Sequence, residues 1–234
     1  MIGITLSGAD ENTPIEPLLY LARFGAEIGL LYTYSPDGRN RYPSPEWITE
    51  TVKALGGKAA IHICGMRARQ QLYDCDYVVQ AMVAHASRIQ VNGPLDPTWV
   101  CRVCDRYPTH TIITQHFSRN LCLLPVDAPN HAILVDGSGA RGISPGSWQR
   151  PATDKPVGFA GGLGPDNIRE ELPKIAAIAN GHPNGWWVDM EGKLRDDDDW
   201  FSVDLAAEVM RDWTGFRDSL TESELAAQAG FDMK

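Results

Sequence analysis

Two glycine-rich stretches and one carboxylate hold the residues of this chain whose types and spacing suit chemistry. Residues 133–135 are apolar and lead into Asp136, and the chain then passes Gly137, Gly139, Arg141 and Gly142 before reaching Trp148. A carboxylate at the end of a buried strand sits where α/β barrels place their reactive groups, and glycine lets backbone N–H groups come close to an anion. The same stretch is also compatible with a plain tight bend. Downstream, residues 156–160 run into Gly161 and Gly162, and a helix opens near Pro165. Free N–H groups and a helix dipole then converge on one spot, which favours a phosphate. Two such loops can clamp one phosphate. Two further groupings are ambiguous. Cys101 and Cys104 form a C-x-x-C pair with no second pair at zinc-ribbon spacing, and read as either ordinary buried thiols or a metal or redox pair. The run Asp196 to Asp199 reads as a solvated loop and helix start or as a cation site.

Composition limits what these groups can serve. The 234 residues suit one large domain, and 43% hydrophobic with 22% charged residues is ordinary for a globular core. A net charge of -9 disfavours a general nucleic-acid or acidic-membrane surface while leaving local anion sites open. The start lacks the basic and apolar regions of a signal peptide, and no apolar run is long enough to span a bilayer. A cytoplasmic location is therefore expected, and five cysteines, an odd number, fit reduced thiols.

The elements that must position the site alternate regularly. Strand signals fall at about residues 2–7, 27–34, 58–64, 88–92, 109–116, 131–136, 156–160 and 185–190. Helical spacing falls between them, at about 14–24, 44–55, 75–86, 96–106, 165–179 and 202–213. Pro173 is expected to kink or interrupt the fifth of these helices, and only a short helix or loop fits after the fifth strand, where Pro125 and Pro129 intervene. Eight parallel βα units with no dinucleotide fingerprint after the first strand predict a single α/β domain, a (β/α)8 TIM barrel with an eight-stranded parallel sheet, over residues 1–220. Residues 221–234 form a polar tail or an extra helix.

The motifs at these strand ends resemble those of phosphoribosylanthranilate isomerase, a ribulose-phosphate-binding barrel of tryptophan biosynthesis, over nearly the whole chain. Ser35-Pro36 and Arg41-Tyr42-Pro43 are similar to the family's segment after the second strand, split by an apparent insertion at 37–40. Gln90-Val91-Asn92-Gly93 resembles its Gln-Leu-His-Gly. Asp136 to Trp148 resembles its acid-bearing glycine loop, and Ala160-Gly161-Gly162-Leu163-Gly164-Pro165-Asp166-Asn167 resembles its Ala-Gly-Gly-Leu-x-Pro-x-Asn.

The resemblance implies a cofactor-free, metal-free Amadori rearrangement of a phosphorylated small molecule, an intramolecular oxidoreduction of the aldose–ketose class, in a monomer or homodimer. It implies Asp136 as general acid, Arg41 and Gln90 as substrate contacts, and Gly139, Arg141, Gly142, Gly161, Gly162 and Gly192 as the phosphate site. Two features depart from the family. Its first-strand cysteine base is replaced by Ser7, which leaves Asp10 or Cys64 as replacement bases. Its Ser-Ser-Gly after the eighth strand becomes Met190-Glu191-Gly192, where Glu191 would repel a phosphate unless it points away or pairs with Lys193 or Arg195. Other readings are a catalytically silent barrel that binds a phosphorylated ligand, and a lyase or hydrolase using Asp10, Asp189 and Glu191 with a divalent metal.

Overall fold

A computed structural model describes residues 2–36, 38–117, 126–137 and 142–220. Eight strands pair in parallel, each with the next in sequence: β1 (Ile2–Ser7), β2 (Ala26–Thr33), β3 (Ala59–Cys64), β4 (Arg88–Val91), β5 (Thr111–Phe117), β6 (His131–Asp136), β7 (Val157–Ala160) and β8 (Trp186–Met190). β8 pairs back onto β1, so the sheet closes into a barrel with no free edge. Seven α-helices among the described residues pack outside it: α1 (Ile15–Arg23), α2 (Pro45–Leu55), α3 (Met66–Tyr73), α4 (Tyr77–Val83), α5 (Pro97–Arg106), α6 (Ile168–Ala179) and α7 (Val203–Ser219). The tail from residue 221 and the segment 118–125 lie outside the described residues. No described helix is long and apolar enough to cross a membrane.

Most helix boundaries follow from local chemistry. The Ser44 side chain accepts the Trp47 N–H and Pro45 fills the first turn of α2, which ends at a left-handed Gly56. Asp96 and Pro97 open α5 in the same way. The helix expected over 75–86 starts later, because Cys75 is left-handed (φ 56°) and Asp76 caps Val78. Before it lies α3, which sequence periodicity does not predict, since it buries only Ala68 and Leu72. α6 runs through Pro173 without interruption, with Leu172, Ile175, Ala176 and Ala179 buried around the lost hydrogen bond.

Strand parity divides the core in two. Ile4, Leu6, Ile28, Leu30, Ile61, Ile63, Ile89, Val91, Ile133 and Phe159 belong to one large apolar cluster with the buried helix faces. Ile113, Ala132, Leu134 and Trp187 form a separate cluster that fills the barrel. Gly158 makes this filling possible, because a Cβ there would collide with the Trp187 indole and Leu134. On the amino-terminal side of this plug Arg88 pairs with Glu27, and its guanidinium stacks 4.5 Å from the Trp187 ring centroid. On the carboxyl side the strand ends open into a cavity.

Candidate active site

The cavity encloses about 650 Å³, a volume typical of small-ligand sites. It brings together Ser7, Arg41, Cys64, Gln90, Asp136, Gly142, Gly161, Gly162 and Gly192 from the sequence-derived candidates. Gly139 and Arg141 lie outside the described residues. Sequence reasoning passed over His62, Asn92 and Gln115, which also line it, as does Arg69 from α3. Parity held a signal for the first three: His62 shares a face with Cys64, Asn92 with Gln90, and Gln115 with Ile113.

Asp136 ends β6, is 4% exposed, and accepts a hydrogen bond from Gln115 Nε2 at 2.9 Å. Glycines surround it on the β7 side. Gly162 takes a positive φ of 61°, and a Cβ there would run into the backbone of Ile143 and Ser144, so the two glycine loops are in direct contact. Asn167 fixes the second loop by accepting the Gly164 N–H (3.0 Å) and donating to the Gly162 carbonyl (2.8 Å). Trp148 anchors the first loop, with its indole N–H donating to Glu171 at 2.6 Å.

The two residues considered as replacement bases are held in other ways. Asp10 does not line the cavity. It is fully buried, and its carboxylate accepts from Arg195 Nη2 (2.9 Å), the Phe201 N–H (2.8 Å), the Asn12 N–H (3.2 Å) and Thr13 Oγ1 (3.2 Å). With four donors it is a structural anchor, out of reach of a substrate. Cys64 does line the cavity, but burial, reinforced by Glu191, pushes its thiol up to about 12. Asn92 Nδ2 donates to its sulfur at 3.4 Å. Ser7 donates from Oγ to Asp189 Oδ1 at 2.7 Å.

The expected partners of Glu191 are engaged elsewhere: Lys193 pairs with Asp166 (2.6 Å), and Arg195 with Asp10 and Asp199 (both 2.9 Å). Arg41 neutralises Glu191 instead, at 2.7 Å, and also binds Asp199 at 2.8 Å. Burial works against the Arg41 charge, but the two carboxylates outweigh it and raise its pKa. The chain Asp10–Arg195–Asp199–Arg41–Glu191 therefore uses up the guanidinium that the resemblance assigns to substrate. Arg69 makes no ion pair with a described residue; its Nη1 donates to the Pro94 carbonyl at 2.6 Å. In the acidic run, Asp196 accepts the Asp198 and Trp200 N–H groups, and no described group of three His, Cys, Asp or Glu converges at metal-binding spacing.

No family model and no curated protein matches the sequence. Solved structures match along nearly the full length. TrpF from Jonesia denitrificans is 16% identical with a TM-score of 0.67, covering 93% of this chain and 98% of that one. Phosphoribosyl anthranilate isomerase from Thermus thermophilus is 18% identical with a TM-score of 0.64, covering 92% and 100%. The fold is that of the phosphoribosylanthranilate isomerases. A third match, at 17% identity, TM-score 0.63 and coverage of 92% and 100%, is a phosphoribosylanthranilate isomerase in complex with reduced 1-(o-carboxyphenylamino)-1-deoxyribulose 5-phosphate. Within this isomerase fold the quoted motifs fall at strand ends around one cavity, with Gln90 on β4, Asp136 on β6 and Gly161–Gly162 after β7.

Proposed function

We propose that the chain is a cofactor-independent isomerase of a phosphoribosylamine or related phosphosugar, acting by general acid–base catalysis. The observation that carries this reading is the position of Asp136, fixed by Gln115 in a cavity whose adjoining wall is made of Gly142, Gly161, Gly162 and Gly192. The glycines suit a phosphate. Asp136 then serves as the acid. It gives its proton to the ring oxygen as the C1–O bond breaks, and the amine lone pair forms the iminium. At the other end Arg69, rather than Arg41, is the guanidinium available to an anionic group, because Arg41 is held by Glu191 and Asp199.

The test follows the fluorescence decay of freshly generated phosphoribosylanthranilate. Asp136→Asn is expected to lower kcat by about a hundred- to ten-thousandfold while phosphate affinity stays nearly intact, and Arg69→Ala to raise KM more than it lowers kcat. Full activity in Asp136→Asn would remove that residue as the acid. No decay above background with the native chain would leave a phosphate-binding barrel, a reading that Ser7 in place of the family's cysteine also favours.

A further inference from the structure

The Amadori chemistry needs a second group, one that removes the carbon-bound proton, and the usual thiolate is absent. The cavity holds three carboxylates, Asp136, Asp189 and Glu191, and Arg41 neutralises the last. The other two stand at one level of the barrel: Asp136 is in register with Ala160 of β7, and Ala160 with Asp189 of β8. Two strand spacings set their Cα atoms about 10 Å apart. The residue between them is alanine, which leaves an open slot from one carboxylate to the other.

The surroundings of Asp189 are prepared in a way that structure alone does not require. It is 5% exposed, and Ser7 donates to its Oδ1, which fixes the orientation of the carboxylate. Beside Ser7 lies His62, 2% exposed, whose Nε2 is buried and has no hydrogen-bond partner. Gln90 Nε2 lies 3.2 Å from His62 Nδ1 and also donates to Asn92, so Nδ1 accepts and the ring proton sits on Nε2. Gly29 makes the space these groups share, since a Cβ there would collide with Ser7 Oγ and lie 3.0 Å from His62 Nε2. A buried donor without an acceptor calls for an explanation, and this one belongs to a residue that lines the cavity.

We propose that Asp189 is the base of this site, oriented by Ser7, with the His62 Nε2–H as the donor that receives the substrate oxygen on the carbon being deprotonated. This rests on the isomerase reading above. In the step, an Asp189 oxygen takes the proton from C2, the C–H electron pair becomes the C1–C2 π bond, and the iminium π pair withdraws onto nitrogen. Asp189 and His62 are then catalytic residues, and Ser7 is a positioning residue. The missing cysteine has been replaced by a carboxylate one strand away, and the serine in its place holds that carboxylate.

The experiment measures kcat and KM for phosphoribosylanthranilate in the native chain, Asp189→Asn, Asp189→Glu, Ser7→Ala and Cys64→Ser, with unfolding monitored by circular dichroism. Asp189→Asn is expected to lose about a thousandfold in kcat with KM within threefold, and Asp189→Glu to recover part of the loss. Ser7→Ala should lower kcat roughly tenfold at unchanged KM, and Cys64→Ser, which removes the competing thiol, should lose far less kcat than Asp189→Asn. If Asp189→Asn does not fold, Ser7→Ala carries the test, and unchanged kcat in that folded variant overturns the proposal. Retention of more than about a tenth of kcat in Asp189→Asn, or an equal loss in Cys64→Ser, overturns it while native turnover still upholds the isomerase reading. Absence of native turnover overturns both.

Discussion

The barrel interior has a polar layer on each side of its apolar plug, and the two are finished in different ways. On the amino-terminal side, Arg88 Nε donates to both oxygens of Glu27 (2.8 and 2.9 Å), its Nη2 donates to Thr5 Oγ1 (2.7 Å), and Ser87 and Thr5 complete the carboxylate at 3.0 and 3.1 Å. Burial alone would raise the Glu27 pKa, yet Arg88 together with Ser87 and Thr5 more than offsets it and holds it below the ordinary value. On the carboxyl side, the ring N–H of His62 is buried without a partner, the Ser7 hydroxyl is committed to Asp189, and both residues line the cavity. A layer with every group satisfied adds rigidity, whereas a layer left short of partners is shaped for something that arrives later. The same division between a stabilising bottom and a working top is general to (β/α)8 barrels.

Substitutions can separate the two layers. The largest expected effect on stability is at the bottom: Arg88→Met leaves the Glu27 carboxylate unpaired and should cost roughly 3–5 kcal/mol in urea unfolding, with turnover per folded molecule unchanged. A proportional fall in kcat would mean that the layers are coupled. Gly29→Ala attacks the top, because its Cβ falls on Ser7 Oγ. Overpacking there should cost about 1–3 kcal/mol, and kcat should fall well beyond what that instability explains. Normal turnover in this variant would show that the arrangement around Asp189 is not needed.

The effect that is smallest at neutral pH is read in acid and belongs to neither layer. His131 and His116 share Thr114 Oγ1, each at 2.8 Å, on the outer face of the sheet. Burial, with help from Lys155 and His116, lowers the His131 pKa from 6.5 to about 3, and burial also lowers that of His116. Because the unfolded chain takes up protons that the folded chain refuses, stability is full above pH 6.5. Through His131 it should fall by about 1.4 kcal/mol per pH unit as pH drops toward 3, and His116 adds to the fall in the same direction. The Glu27 contribution is present above its ordinary value of 4.5 and is lost only below it, as pH falls through its lowered folded pKa. His131→Gln should therefore lessen the loss between pH 6.5 and 4.5, where Glu27 does not contribute, and leave the Glu27 part of the loss below 4.5 in place. An unchanged slope in the upper window would exclude His131 as its source.

How far the sequence revealed this molecule depended on the distance over which each feature is encoded. The Ser44-Pro45 start and Gly56 stop of α2, and the alternation that sorts Ile61 and Ile63 outward, are local and were readable. α3 was not, because two buried residues spaced by four leave hardly any periodic signal. In the site, Asp136 and the glycines could be found from their position after apolar runs. The state of Arg41 could not, since Glu191 and Asp199 lie 150 and 158 residues away. The same separation hid the burial of Asp10 by Arg195 and the pairing of Ser7 with Asp189. Residue types showed which groups were available for chemistry, and only the closed barrel showed which of them were already engaged.

The bond between Asp10 and Arg195 also has a consequence for biosynthesis. The two residues are 185 positions apart, so at about 5–20 residues per second the carboxylate is synthesised roughly ten to forty seconds before its guanidinium. Throughout that interval the first strand has no last strand to pair with, and the loop after it has no counter-charge to bury. Barrel closure is thus deferred until translation has nearly finished, and the nascent chain must keep its β1 edge unpaired, the condition in which a chaperone or a neighbouring chain can seize it.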